Sequence, residues 1–161
     1  MTHLLASIGV FSSPVARFLL LAHLMLCVFA IGVVTHHWRH LLSRDVSGAR
    51  LAKFARWMAI AYPLALLAGV LIYPTYNVMI RKPPIGVLEA AAPWAVGLFE
   101  IKEHLGTIAL VMLPWLVLSA NRYGGLNRIE RTSYHVGTWV FTIFVYFVFV
   151  TGALVAMLKC Y

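Results

Sequence analysis

The sequence predicts an all-α fold, a four-helix transmembrane bundle forming one integral membrane domain over residues 1–161, and three observations carry that expectation. Of 161 residues, 62% are apolar and only 11% are charged, whereas a soluble domain carries about 25% charged residues. Four apolar stretches approach or exceed the ~20 residues a helix needs to cross a bilayer. Basic residues cluster between those stretches, where membrane proteins keep them. The formal charge of +8 therefore marks loops at a membrane surface, and no nucleic-acid partner is expected. The expected partner is the lipid bilayer and the expected location the bacterial inner membrane.

Each element follows in order. Residues Thr2 to Phe11 are mildly apolar, too short to span, and expected at the interface. Ser12, Ser13 and Pro14 read as a helix start, with a serine cap and proline at the first helical position. The first span, about Val15 to Trp38, ends in His36, His37, Trp38, Arg39 and His40. It is longer than a signal h-region and lacks a small-residue cleavage site, so it is expected to be retained. A basic connection follows, with Arg44, Arg50, Lys53 and Arg56. The second span is about Trp57 to Tyr76, with a kink expected at Pro63. The longest loop, Asn77 to Ala92, holds Arg81, Lys82, Pro83, Pro84 and Glu89. Pro93 and Trp94 open the third span, which runs to about Ser119 and is expected to bend at Pro114. Gly124 and Gly125 then stop the helix, and the fourth span is about Tyr134 to Leu158.

Orientation follows from the basic residues. The first and third loops hold Arg39, Arg44, Arg50, Lys53, Arg56, Arg122, Arg128 and Arg131, against Arg81, Lys82 and Lys159 on the other side. The excess places the first set in the cytoplasm and both termini on the outer side. Cys27 and Cys160 lie far apart and form neither a C-x-x-C motif nor a zinc pattern.

Chemistry has to come from polar groups at membrane depth, where an ionisable side chain is costly and therefore a functional candidate. His23 lies about nine residues into the first span from its outer end, and His104 a similar distance into the third. These two can meet in the outer half of the bundle. His37 and His135 both lie near the inner surface. His23 and His37 are 14 residues apart, close to four turns, which puts them on one face about 21 Å apart along the axis. His36 points largely elsewhere.

That placement of histidines resembles the di-haem four-helix cytochrome b subunits of membrane oxidoreductases. The resemblance rests on His23, His37, His104 and His135 alone. It implies one or two b-type haems, the outer held by His23 and His104, the inner by His37 (or His36) and His135. The chain departs from the pattern of repeated paired histidines, since position 118 of the third span is leucine. The resemblance also implies a b-type haem electron-transfer subunit that exchanges electrons between quinol and a partner protein, among other membrane-complex subunits.

Glu100, Glu103 and His104 stand at i, i+3 and i+4 and share one helical face; Lys102 points elsewhere. Three readings stay open for this group. With His23 and Cys27 it can bind a metal ion. Glu100 and Glu103 can take up the protons released by a quinol, with a quinone as second cofactor. Or the carboxylates can pair with Arg17 and Lys102 as structural ions. Likewise His36, His37, His40 and His135 can simply sit among headgroups, and His23 and His104 can bond to neighbouring helices. The stiff basic loop around Arg81, Lys82, Pro83 and Pro84 can dock an acidic extracytoplasmic partner such as a cytochrome, or be only a connection. Some aromatic residues of the fourth span can pack on a porphyrin, while most are expected against lipid or the bundle. Gly106, Gly137 and Gly152 permit close helix approach or leave room for a flat cofactor. The alternative to electron transfer is a haem-free structural or assembly subunit of a membrane complex. A metal or proton transporter is the third reading, disfavoured by the lack of inverted repeats.

Overall fold

The computed structural model describes residues 14–82 and 88–158. Four long helices make up most of them: α1 Pro14–Leu41, α2 Gly48–Tyr76, α3 Pro93–Asn121 and α4 Arg128–Leu158. All four are long and apolar enough to cross a membrane, and no strand occurs among the described residues. The Thr2–Phe11 segment, the Ser12–Ser13 cap, Pro83, Pro84, Lys159 and Cys160 lie outside those residues.

The helices run past the apolar stretches that announce them. α2 starts at Gly48, after Ser47 in an extended conformation, so Arg50, Lys53 and Arg56 are helical. Nothing in that basic segment breaks a helix, and continuing it satisfies backbone groups that a loop would leave to water. α4 starts at Arg128, ahead of its apolar run, because Asn127 and Glu130 form a reciprocal cap. The Glu130 amide donates to Asn127 Oδ1 at 2.9 Å, and the Asn127 amide donates to Glu130 Oε2 at 2.8 Å. This capping box satisfies two amides that would otherwise lack partners. Pro63 and Pro74 lie inside α2 and Pro114 inside α3, and both helices continue through them. Packed neighbours allow that in membrane helices. The long loop holds a π-helical turn at Asn77–Arg81 and a single α-turn at Leu88–Ala91.

α1 packs on α2 and α4, and α3 packs on α2 and α4, which closes a ring of four with α1 opposite α3. Leu51, Ala55, Met58, Leu116 and Phe141 are fully enclosed in the main core, and a second apolar cluster around Tyr76, Ala95 and Val155 fills the other end. Lipid is as apolar as leucine, so close packing has to hold the bundle together. Two glycines provide it. Gly106 receives Tyr62, whose hydroxyl donates to the Gly106 carbonyl at 3.1 Å. Gly137 lies against the Trp115 indole so closely that even a methyl group there would overlap the ring. Gly152 has open space around it.

Candidate functional site

His23 is turned toward α2. Its Nδ1 lies 2.9 Å from the Ala65 carbonyl, and its ring covers Gly69, where an added Cβ would come within 3.1 Å of Cε1. Cys27, one turn along α1, places Sγ 3.6 Å from His23 Nε2. Both His23 nitrogens therefore have neighbours on α1 and α2. Bonding of His23 to a neighbouring helix is one of the readings open in the sequence; its partners Ala65 and Gly69 are not, although a glycine in the middle of an apolar helix is a signal that something bulky approaches it.

On α3 the face shared by Glu103 and His104 turns outward, and both side chains are exposed. His104 Nδ1 is 2.8 Å from the Glu100 carbonyl of its own helix, and its Nε2 makes no hydrogen bond among the described residues. Lys102, about 100° around the helix, is half-buried, with Nζ 4.0 Å from the centre of the Phe99 ring. Thus the lysine expected to point away is packed on the bundle, and the imidazole expected inside faces out.

Glu100 is bound from the loop. Arg81 Nη2 donates to Glu100 Oε1 at 2.7 Å, Nη1 donates to the Tyr73 hydroxyl at 3.3 Å, and Nε stands 4.0 Å from Glu89 Oε2. Burial alone would lower the Arg81 pKa, but the bonds to Glu100 and Tyr73 outweigh it and raise it, so the guanidinium stays charged. Beneath it Tyr76 stacks on Phe99 with ring centres 4.6 Å apart. Arg81 therefore ties the loop after α2 to α3.

At the opposite end, His37 is wholly buried and its Nε2 is hydrogen-bonded to the equally buried Tyr134 hydroxyl at 2.8 Å. His37 Nδ1 has no partner among the described residues. His135, the next residue, is only half-buried and bonds through Nε2 to Tyr123 Oη at 2.9 Å. His36 is exposed and stacks on Phe54. His40 Nε2 accepts the Ser47 amide at 3.2 Å and closes the α1–α2 turn.

A haem held by two histidines needs both imidazoles directed at one iron, with room between them for the porphyrin. Here His23, His104, His37 and His135 each engage a different neighbour, and none bonds to or stacks on another. As placed, His23 turns to α2 and His104 outward, while His37 and His135 bond to different tyrosines. The metal-ion reading of His23, Cys27, Glu100, Glu103 and His104 loses its geometry. Among the described residues no three His, Cys, Asp or Glu side chains gather to hold an ion, because Glu103 and His104 face out while His23 faces α2.

Fold and side-chain placement together define an integral membrane protein of four spanning helices, with an ionisable patch on the outward face of the third. No family model, curated protein or solved structure matches the chain.

Proposed function

We propose that the chain is a structural or assembly subunit of a membrane complex and that the outward face of α3 is where it meets its neighbour. The carrying observation is the exposure of Glu103 and His104 near the middle of a 29-residue spanning helix. His104 lies 11 residues after Pro93, about 16 Å along the helix, and one turn past Glu100, which the loop residue Arg81 reaches. An ionisable group left facing hydrocarbon costs on the order of a few kcal/mol. Polar groups on a neighbouring membrane helix remove that cost. The basic excess at the α1–α2 and α3–α4 ends supports an orientation with those loops in the cytoplasm and both termini outside. A phosphatase reporter at the C-terminus is then active, and an inactive one reverses the orientation.

The test is the mass of the tagged chain extracted from its own membranes in a mild detergent. The wild type is expected in an assembly well above the 18.0 kDa of one chain, and Glu103→Leu/His104→Leu as a folded single chain. Equal masses for both would count against the reading.

A second reading, b-type haem electron transfer beside a quinol site, is favoured by one observation. Glu100 holds His104 Nδ1 and leaves Nε2 directed outward, the arrangement metal-ligating histidines adopt. The haem would then lie between His104 and a partner subunit, with Glu103 beside it as proton acceptor. A reduced-minus-oxidised spectrum of the same assembly decides this: a b-type band that His104→Ala abolishes supports it, and no band rejects it.

A further inference from the structure

Two open surface depressions adjoin on the membrane-facing side, one on α2 alone and one between α1 and α2, and they differ in character. One carries Lys53 and Arg56 above Trp57. The other, of about 580 Å³, is apolar and runs over Gly32 between Val28, Phe29 and Phe54, with His36 at its mouth. Lys53 and Trp57 line both, so a molecule with a charged end and an apolar tail can occupy the two together.

The charged end is built for an anion. Lys53 and Arg56 stand at i and i+3 and share a helix face. Neither pairs with a carboxylate among the described residues. Arg56 Nη2 donates to Asn121 Oδ1 at 2.8 Å, which holds the guanidinium in place with its other donors open. Both residues lie within about 12 Å of the start of α2, the depth of lipid headgroups. The apolar end is walled by aromatic pairs, Phe29 edge-on to Trp57 at 6.1 Å and His36 stacked on Phe54 at 6.0 Å. Its floor is Gly32, where an added Cβ would meet nothing within 4 Å.

We propose that this face binds one anionic phospholipid, its phosphate between Lys53 and Arg56 and one acyl chain in the groove over Gly32. Clusters of basic residues at the membrane surface attract such headgroups, and the adjoining groove distinguishes a lipid from free phosphate.

Native mass spectrometry of the delipidated chain tests this, with phosphatidylglycerol and phosphatidylcholine of identical acyl chains offered in turn. The wild type is expected to retain phosphatidylglycerol roughly tenfold better or more, the size expected for two basic residues at a membrane surface. Lys53→Gln/Arg56→Gln removes the preference. Arg44→Gln/Arg128→Gln, which loses the same charge elsewhere, keeps it. Gly32→Leu fills the groove while keeping Lys53 and Arg56 and weakens retention of both lipids. Equal retention by the wild type, a preference that survives in the Lys53/Arg56 variant, or one lost equally in the Arg44/Arg128 variant would overturn the proposal. So would unchanged lipid retention in Gly32→Leu, or displacement of phosphatidylglycerol by an equal concentration of inorganic phosphate.

Discussion

His37 and Tyr134 form the most demanding contact in the molecule, because both are sealed from solvent and lipid and each hydroxyl or ring nitrogen left alone there pays for its desolvation. Removing one partner of such a bond costs about 1–3 kcal/mol, while replacing both with apolar groups can be nearly neutral. Tyr134→Phe is therefore expected to lower the thermal midpoint in detergent, since it leaves His37 with neither nitrogen bonded. His37→Leu/Tyr134→Phe is expected to recover part of that loss, a coupling that a double-mutant cycle measures. Additive losses would mean that the bond contributes nothing. Depth along the helices was legible here, since a partner for His37 was expected at the start of the fourth span. Rotation was not. Tyr134 and His135 are adjacent, and the 100° step between them decides which is buried; packing against Trp115 and Tyr123 places the tyrosine inside.

Among the helices, α3 shows most clearly what a pattern leaves open. The i, i+3, i+4 spacing says that Glu100, Glu103 and His104 share a face, but says nothing of the direction that face takes. The direction is set by contacts far away in sequence: Gly106 under Tyr62, and Trp115 against Gly137. These turn Lys102 toward the bundle and His104 away from it. The α3–α4 contact carries a prediction. Gly137→Ala must displace the Trp115 indole and is expected to cost about 1–3 kcal/mol, read as a lowered thermal midpoint that Trp115→Leu partly restores. Gly97→Ala, on the same pair of helices but with nothing within 4 Å, is expected to leave the midpoint unchanged or raise it. Equal effects at both positions would contradict the close approach. Helix ends were easier to read where chemistry marks them, as at Pro93 and Gly124–Gly125. The starts at Gly48 and Arg128 were harder, because hydropathy falls off before the helix does.

For the molecule as a whole, four helices long and apolar enough to span follow directly from composition and apolar length, and their contacts close a ring of four. The placement of its histidines was less legible, because Gly69 marks a close approach to α2 without naming His23 as the group that approaches. The bundle buries one set of polar groups, around His37, and turns another, Glu103 and His104, toward the membrane. A single chain in lipid has no use for the second set. The most direct test is a photo-reactive amino acid placed at Thr107, one turn below Glu103 on the outward face of α3, and, as a comparison, at Leu67, an exposed position of α2. Irradiation in native membranes is expected to give a discrete protein adduct from position 107 and only lipid adducts from position 67. Lipid adducts alone from position 107 would contradict the claim that another subunit covers this face.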